Sequence, residues 1–509
     1  MTARVLMVQG ASSSAGKSLL VAGLCRCFAR RGIDVAPFKA QNMSNNAAVC
    51  PDGSEIGRAQ AVQALAAGVQ LSADLNPVLI KPEADTRSQV IVMGRPFKTL
   101  GAVEYYDYKQ ILWGYVTAAL DRLRSDHALV IVEGAGSPVE LNLNENDIVN
   151  MAVALYAQAA VLLVGDIDRG GIFAQLLGTL WLLQPEERQL VRSLVVNKFR
   201  GDPALFDEGI QILEQKSGLP VLGVIPYLEN LLIPEEDAVA LESGAFSAAN
   251  AKSDGIDIAI IHLPRISNFD DFDPFRFDPG VRVRYVHDPR ELRQPDAIIL
   301  PGTKSTSADL EWLRLSGLAE LILEFARQGG AVVGICGGYQ MLGTALRDPQ
   351  HVESRIETTP GLGLLPVETV FAQDKATYQA RARISAASGW MSALNETSIE
   401  GYEIHMGRTE STTTWLEILQ RNAQPVRFPD GAASPDGRIW GCYLHGLFAN
   451  PQVRHAWLTS LGWRGTPANL SNSPTPSVQP AVQDPFDRLA DALEAALDMS
   501  LLEKIIWEN

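Results

Sequence analysis

The chain has 509 residues, of which 46% are hydrophobic and 20% are charged. This composition excludes an intrinsically disordered protein, and the length predicts two or three globular domains. Aspartate and glutamate number 59 against 43 lysines and arginines, giving a formal net charge of −16. Because such a field repels phosphate backbones and anionic lipid, we expect neither nucleic acid nor a membrane as a partner.

The cysteines and the first residues bear on the compartment. The five cysteines do not have the spacing of a disulfide framework, and the chain starts without the pattern of a secretory signal. The apolar runs are far shorter than the roughly 20 residues that cross a bilayer. We therefore expect a cytoplasmic protein.

The first 240 residues alternate short apolar runs with longer helical patterns. This alternation is typical of a parallel sheet with helices on both faces. Residues 1–240 are predicted to form one α/β domain, and the small, polar residues 241–255 a linker. The predicted strands are 5–8, 129–133, 160–165, 193–197 and 221–225, and the predicted helices are 18–31 and 171–183.

A second α/β series is predicted over residues 256–465, with strands at 258–262, 281–286, 297–300, 331–335 and 439–444 and a helix at 307–328. Residues 466–484 are rich in Pro, Ser, Asn and Gln and are predicted to be a flexible linker. Residues 485–509 repeat apolar side chains at helical spacing, which predicts one amphipathic helix docked on a domain or on a partner. The predicted fold class is α/β, with two three-layer α/β domains and mainly parallel sheets.

Residues 10–18, Gly-Ala-Ser-Ser-Ser-Ala-Gly-Lys-Ser, connect the first predicted strand to the first helix. Backbone N–H groups and a helix N-terminus at such a turn bind phosphate. The first glycine stands one position earlier than in a standard P-loop, so this is a longer variant. Lys17 is expected at the terminal phosphates of ATP, and the Ser18 hydroxyl at Mg²⁺. The expected nucleotide-binding residues are Gly10, Ser13, Ala15, Gly16, Lys17 and Ser18.

Four polar residues follow other predicted strands of this domain. Glu133 ends one of them beside the P-loop crevice, and we expect it to be the second Mg²⁺ ligand. Asp166 and Asp168 could serve a metal, a substrate or only the turn. Asn197 lies where a nucleotide base could be recognised, but its Asn-Lys pair is equally typical of a turn.

Cys336 lies in Gly-Ile-Cys-Gly-Gly-Tyr-Gln-Met, a predicted strand, sharp turn and helix. A cysteine at such a helix N-terminus is favoured as the nucleophilic thiolate. The flanking glycines leave room for an incoming carbonyl group. Gly302 and Thr303 follow another predicted strand, and their backbone N–H groups, with that of Gly337, are expected to form an oxyanion hole.

A thiol nucleophile needs a base, and His445 follows the last predicted strand. His405 is the competing histidine, and we interpret it as structural or substrate-facing. Position 447, two residues after His445, is a leucine. A Cys-His-Glu triad therefore cannot be assumed, and the pair is predicted to work as a dyad.

Long blocks of the sequence resemble known families. Residues 10–18 with 132–136 resemble dethiobiotin synthetase-like ATPases, and residues 334–341 with His445 resemble glutamine amidotransferases of the cysteine type. To about residue 460 the chain resembles the cobyric acid synthase family, whereas the tail from about residue 466 lies outside this resemblance. The matching blocks are 38–46, 55–60, 132–138, 165–171, 197–203, 263–269 and 401–407.

The resemblance implies that Cys336 releases ammonia from glutamine and that the N-terminal domain activates carboxylates with ATP as acyl phosphates. The family substrate is adenosylcobyrinic acid a,c-diamide, amidated on its b, d, e and g carboxylates in cobalamin biosynthesis. Candidate substrate contacts are Asn42, Asn46 and Arg58, with Asp166 and Asp168. Many family members have an acidic residue where this chain has Ser14. Whether the protein forms a homo-oligomer is left open.

Three other functions fit the sequence less well. The blocks 41–46 and 403–407 argue against cobyrinic acid a,c-diamide synthase. Cytidine triphosphate synthase has a His-Pro-Glu motif, which this chain lacks because Gly446 and Leu447 follow His445. An ATP-driven switch with an inactive amidotransferase half is disfavoured because Cys336 and His445 are both present.

Overall fold

Two α/β domains follow one another in the computed structural model. It describes residues 2–84, 86–142, 147–228, 231, 233–234, 255–385, 389–465 and 484–508. The predicted linkers 241–255 and 466–484 lie outside the described residues, apart from Gly255 and Asp484. No helix among the described residues is long and apolar enough to span a membrane.

The N-terminal domain is built on a six-stranded parallel sheet, and every predicted strand of this domain is present in it. The strands are almost continuously buried, as expected for a parallel sheet covered on both faces. Because the strands are parallel, residues that follow them meet at one edge. The strand order is Val221–Pro226, Val191–Phe199, Ala160–Asp166, Arg4–Gly10, Leu129–Glu133 and Val35–Phe38.

Seven α-helices of this domain are described: Lys17–Arg30, Arg58–Ala67, Ala102–Asp126, Met151–Ala157, Ile172–Leu182, Pro185–Arg188 and Asp207–Ser217. Two of them match the predicted helices, and the rest were not predicted. The domain also has a small mixed sheet and a two-stranded hairpin, again not predicted from sequence. The sheet contains Gln41–Met43, Val78–Ala84, Arg87–Val92 and Arg95–Gly101, and the hairpin contains Ala47–Val49 and Glu55–Gly57.

The C-terminal domain has its own mainly parallel six-stranded sheet, which contains all the predicted strands. The order is Val281–Val286, Ile256–Ile261, Ala297–Leu300, Ala331–Ile335, Ile439–Cys442 and Ala432–Ala433, with the last pair antiparallel. The two sheets with their helices confirm the predicted α/β class. The helices are Pro289–Leu292, Thr306–Leu315, Leu318–Arg327, Gly337–Leu342 and Pro451–Ser460.

One predicted helix of this domain is wrong. Residues 307–328 form two helices instead of one, because the chain turns at Ser316 and Gly317. Gly317 has a φ of 80°, a left-handed conformation that only glycine adopts easily, and it caps the second helix. From sequence alone, an isolated glycine within a helical pattern can be either a tolerated helix residue or the end of the helix.

A second sheet in the C-terminal domain was not predicted. It pairs two long antiparallel strands, Glu368–Ile384 and Ser398–Glu410, which extend toward the N-terminal domain. Its other strands are Ala345–Arg347, Thr358–Pro360, Leu416–Arg421 and Gln424–Asp430. Tyr402 and Ile404 both lie on strand Ser398–Glu410. Tyr402 pairs with His445, and the Ile404 carbonyl lies next to Cys336.

The C-terminal tail packs on the N-terminal domain. It forms two helices, Pro485–Ala496 and Met499–Trp507, so the prediction of one continuous helix is wrong. The break lies at Asp498, whose backbone N–H donates to the Leu222 carbonyl and whose side chain caps the second helix. Leu493 lies against Gly23, where a Cβ would be only 2.3 Å from the leucine side chain.

Candidate functional site

The loop between strand Arg4–Gly10 and helix Lys17–Arg30 forms a close-packed turn. A Cβ at Gly10 would lie 2.8 Å from the backbone carbonyl oxygen of Ser12, so a side chain there would collide with the loop itself. Gly16 has a φ of 92°, and a Cβ there would lie 2.2 Å from the side-chain nitrogen of Asn197. The two motif glycines are therefore required by the turn itself.

The predicted metal ligands Ser18 and Glu133 are in contact. The Ser18 hydroxyl donates to Glu133 Oε1 over 2.8 Å, at the edge where the parallel strands end. Gln63 Nε2 donates to the other carboxylate oxygen, Oε2, over 2.6 Å. A hydroxyl and a buried carboxylate are the hard oxygen donors that Mg²⁺ prefers, so these residues fit the predicted ion beside a nucleotide.

Lys39 also belongs to this site, although its role was missed from sequence. Its Nζ lies 2.8 Å from Glu133 Oε1, because strand Val35–Phe38 runs parallel to strand Leu129–Glu133 and both residues stand at the same edge. Burial would raise the pKa of the Glu133 carboxyl, but Lys39 and the hydrogen bonds from Lys39, Ser18 and Gln63 hold it below its usual value. The carboxylate is therefore ionised.

Asn197 and Lys198 support the P-loop from the neighbouring strand. Asn197 Nδ2 donates to the Ala15 carbonyl over 2.8 Å, and Lys198 Nζ donates to the Ser14 carbonyl over 2.7 Å. Ser14, the position that is acidic in many family members, has a φ of 58° and presents its backbone oxygen to Lys198. In this arrangement Asn197 braces the loop; its predicted contact with the nucleotide base stays a prediction.

Asp166 and Asp168 lie in different surroundings. The buried Asp166 accepts from Lys198 Nζ over 2.9 Å, which connects it to the P-loop through that lysine. Asp168 is partly exposed and pairs with Arg200 over 2.7 Å. Asp166 thus helps to hold Lys198 against the P-loop, whereas Asp168 makes a surface ion pair.

The other three candidate substrate residues lie at or beside helix Arg58–Ala67. Asn42 is buried, and its Nδ2 donates to Gln60 Oε1 over 3.1 Å. Asn46 is also buried, and its carbonyl accepts from the Arg58 backbone N–H. The guanidinium of Arg58 points into the C-terminal domain and binds groups of the protein there.

Cys336 occupies a strained turn between strand Ala331–Ile335 and helix Gly337–Leu342. Its φ is 51°, a conformation that non-glycine residues rarely adopt and that is concentrated at functional sites. A Cβ at Gly338 would lie 1.9 Å from the Leu300 carbonyl oxygen, so only glycine lets the turn pack on that strand. The buried Sγ lies 3.5 Å from the carbonyl oxygen of Ile404.

His445 lies beside Cys336 and is hydrogen-bonded to Asp271. Its Nδ1 lies 2.7 Å from Asp271 Oδ2, while the Gly446 N–H donates to Asp271 Oδ1 over 2.8 Å. The predicted dyad is therefore wrong, because a carboxylate from far upstream in the chain completes a Cys-His-Asp arrangement. Leu447 shows only that the acid does not come from the position two residues after the histidine.

The charges around His445 favour its protonated form. Full burial would lower the imidazole pKa, but the Asp271 carboxylate, together with Cys336 and the two hydrogen bonds, raises it to about 10. A buried imidazolium between a carboxylate and a sulfur is suited to a thiolate–imidazolium pair. The arrangement can supply a nucleophile and a proton donor together.

The predicted oxyanion-hole residues surround this pair. A Cβ at Gly302 would lie 3.1 Å from His445 Cε1, and a Cβ at Gly337 would lie 2.7 Å from Thr303 Cγ2. The Thr303 hydroxyl donates to Asp309, which fixes the loop that follows strand Ala297–Leu300. The structure thus brings the two backbone segments, 302–303 and 337, together beside Cys336; their role toward an oxyanion stays a prediction.

His405, the competing histidine, is held in a different environment. Its ring stacks on Tyr443 with centroids 3.9 Å apart, and its Nδ1 lies 2.8 Å from the Gly407 carbonyl oxygen. Its Nε2 faces Glu403, which also binds Arg421. These contacts fit the structural alternative for His405.

Comparisons with known proteins match both halves of the chain. Residues 6–239 match the family described as CobQ/CobB/MinD/ParA nucleotide binding domain, and residues 257–453 match the family described as CobB/CobQ-like glutamine amidotransferase domain. Three relatives named cobyric acid synthase come from Chloroflexus aggregans, Herpetosiphon aurantiacus and Sorangium cellulosum. They are 55%, 54% and 50% identical to this chain, over 99%, 100% and 99% of it and 99% of each relative.

These alignments also include the tail. Since at least 99% of the chain is covered in each case, the similarity continues past residue 466. The expectation that the resemblance ends near residue 460 is therefore wrong. The tail helices are part of what the chain has in common with these relatives.

Proposed function

Because the chain belongs to the cobyric acid synthase family, we propose that it amidates adenosylcobyrinic acid a,c-diamide on the b, d, e and g carboxylates, using ATP and glutamine. The observation that carries this proposal is the presence, in one chain, of a thiol centre suited to amide hydrolysis and a phosphate site with its carboxylate and lysines. Either site alone would be compatible with many reactions. Together they supply ammonia and an activated carboxyl group.

The thiol centre is proposed to hydrolyse glutamine. The Cys336 thiolate attacks the side-chain amide carbon, and the oxyanion that forms is bound by backbone N–H groups near Thr303 and Gly337. The His445 imidazolium gives its proton to the departing nitrogen, so ammonia leaves and a thioester remains. Neutral His445 then takes a proton from water, which attacks the thioester and releases glutamate. Asp271 keeps the imidazole in the required orientation and tautomer.

The P-loop centre is proposed to activate the acceptor. A substrate carboxylate oxygen attacks the γ-phosphorus of ATP, giving an acyl phosphate and ADP. Ammonia then attacks the acyl carbon, phosphate leaves with the C–O bonding pair and takes up the proton lost by the nitrogen, and an amide is formed. Lys17 and Lys39 lie where they can offset charge on the transferring phosphoryl group, and Ser18 and Glu133 are proposed to hold Mg²⁺. When bound, Mg²⁺ supplies further charge neutralisation at the phosphates.

The positions near the domain boundary are proposed to face the acceptor. Asn42 and Asn46 adjoin helix Arg58–Ala67, whose Gln63 binds Glu133 in the nucleotide site, so they are candidates for contact with the corrinoid side chain being amidated. Arg58 is a weaker candidate for that role, because its guanidinium binds protein groups.

The proposal is tested by mass spectrometry of adenosylcobyrinic acid a,c-diamide incubated with the protein, magnesium, ATP and glutamine. We expect four carboxyl groups to become amides in steps, with one phosphate and one glutamate released for each. Conversion of cobyrinic acid in place of the diamide would assign the protein to the earlier a,c-diamidation. No conversion of either compound, with ATP still hydrolysed, would favour a nucleotide-driven switch.

A further inference from the structure

Arg58, at the start of helix Arg58–Ala67, reaches from the N-terminal domain into the C-terminal domain. Its Nε lies 3.0 Å from Asp270 Oδ2, and its Nη2 donates to the Tyr402 hydroxyl over 2.6 Å and to the Ala47 carbonyl over 2.9 Å. The side chain is largely buried. A planar guanidinium can bind several acceptors at once in fixed directions, which a lysine ammonium cannot do in the same way.

Both C-terminal groups that Arg58 binds adjoin His445. Asp270 immediately precedes Asp271, the acid on the imidazole. The Tyr402 ring stacks on the imidazole with centroids 5.0 Å apart and planes 14° apart. Tyr402 and His445 also exchange two backbone hydrogen bonds, of 3.1 and 2.9 Å. Arg58 therefore touches the acid's neighbour and the ring that covers the base.

A second contact from the N-terminal domain reaches the same imidazole. The Ala47 N–H donates to Asn268 Oδ1 over 2.9 Å, and Asn268 Nδ2 lies 3.4 Å from His445 Nε2. Because Arg58 binds the carbonyl of the same Ala47, the hairpin and the arginine act as one unit. This unit fixes Asn268, Asp270 and Tyr402.

The positive charge of Arg58 also compensates the negative charge of the carboxyl groups beside His445. Asp270 and Asp271 are adjacent carboxyl groups, of which Asp271 is buried and Asp270 is mostly covered, so two negative charges here repel and are poorly solvated. Burial raises the pKa of Asp270 above its usual value, while the Arg58 guanidinium opposes that rise. Removing the guanidinium would leave Asp270 without its ion-pair partner, next to the acid that orients His445.

We propose that Arg58 is a positioning residue for glutamine hydrolysis, so that the N-terminal domain completes a glutaminase centre whose reacting groups all lie in the C-terminal domain. This inference rests on the proposed glutaminase role of Cys336 and His445. The same helix carries Gln63, which binds Glu133 in the nucleotide site. Gln63 is five residues from Arg58, about 7.5 Å along the helix axis, so one short helix contacts both centres.

The test measures glutamine hydrolysis by the full-length protein. We expect Arg58→Ala to lower kcat about 10- to 100-fold, the effect of a small misplacement of catalytic groups. The KM for glutamine should change much less, because Arg58 acts through Asp270 and Tyr402 and not through the substrate. Arg58→Lys should recover part of kcat, since it keeps the charge beside Asp270 but cannot bind all three acceptors.

Lys375→Met is the matched control. Lys375 makes another buried ion pair across the domain boundary, with Glu55, and Glu55 keeps its second partner Lys81 after the substitution. We expect hydrolysis by Lys375→Met close to the wild-type rate. An equal loss in Lys375→Met and Arg58→Ala would overturn the proposal, because both would then report general damage to the interface.

Tyr402→Phe decides the matter if Arg58→Ala does not fold. It removes the hydroxyl that Arg58 binds and keeps the ring stacked on His445. We expect a reduced kcat in Tyr402→Phe. Adding Arg58→Lys to Tyr402→Phe should lower kcat by less than Arg58→Lys does in the wild-type protein, since the two changes break one interaction. Unchanged kcat in either Arg58→Ala or Tyr402→Phe would overturn the assignment. If the wild-type protein hydrolysed no glutamine, the proposed function would fail instead.

Discussion

Asp271 Oδ2 lies 2.7 Å from His445 Nδ1, although the two residues are 174 positions apart in the chain. The carboxylate comes from a 3₁₀ segment, Phe269–Phe277, that follows the first strand of the C-terminal sheet, and the histidine follows the strand Ile439–Cys442. His445 has no acidic residue close to it in sequence, and the contact with Asp271 gives this buried base a fixed orientation.

We predict that Asp271→Asn strongly impairs glutamine-dependent amidation. An asparagine at this position can donate to Nδ1 and so favour the wrong imidazole tautomer, which in a comparable triad lowers kcat by about 10⁴. Amidation from added ammonium should be retained, because it does not need His445. Asp273→Asn, on the same 3₁₀ segment and paired with Arg276, is the control. Normal glutamine use by Asp271→Asn would remove the acid from the mechanism.

The raised pKa of His445 predicts a pH-dependent contribution to stability. The folded-state pKa is about 10 against an ordinary value of 6.5, with Asp271 and Cys336 opposing the effect of burial. Its stabilisation is therefore complete below about pH 6.5 and is lost as the pH rises toward about 10. The Tm difference between wild type and Asp271→Asn should shrink over that range. A difference that grows with pH would contradict the charge assignment.

Lys17→Ala should abolish amidation from both glutamine and ammonium, because the phosphoryl group to be transferred loses its lysine. Glutamine hydrolysis without amide formation should remain, measured as glutamate released. Lys216→Ala, on the exposed face of helix Asp207–Ser217, should amidate normally. Ammonium-driven amidation by Lys17→Ala would exclude that lysine from the reaction.

The C-terminal helices are predicted to stabilise the N-terminal domain. Leu493 is buried against Gly23, so Leu493→Ala should lower the free energy of unfolding by about 2–5 kcal/mol, as for other buried leucines. Glu503→Gln, which removes only the exposed ion pair with Arg31, should cost less than about 1 kcal/mol. Urea unfolding of the two variants compares them. Equal, small effects would mean that the tail contributes little to that domain.

Sequence alone located the parts of both sites that depend on local backbone geometry. The P-loop turn and the cysteine elbow need glycine at defined places between a strand and a helix. The residues that form each turn are consecutive, so the pattern is visible in the sequence. Glu133 could be placed because residues after parallel strands meet at one edge. The two turns are thus local motifs, whereas Glu133 was placed from the expected parallel sheet.

The remaining features depend on contacts between distant segments. Asp271 and Lys39 are assigned by what they touch, and nothing in their own surroundings in sequence distinguishes them from other buried charges. Arg58 was expected at the substrate, and only its contacts with Asp270 and Tyr402 show that it binds protein groups. The long antiparallel sheet was missed for a related reason: its strands mix exposed and buried residues irregularly. The two predicted helices that proved to be broken pairs show that a short break leaves the apolar spacing intact.

In the proposed reaction, ammonia is released at Cys336 and consumed at a separate P-loop centre on the corrinoid. The most direct test is mass spectrometry of adenosylcobyrinic acid a,c-diamide treated with the Cys336→Ala variant, magnesium and ATP, with either glutamine or ammonium as the nitrogen source. We expect four new amides from ammonium and none from glutamine. Amides formed from glutamine, or an absence of amides from ammonium while the wild type produces them, would contradict it.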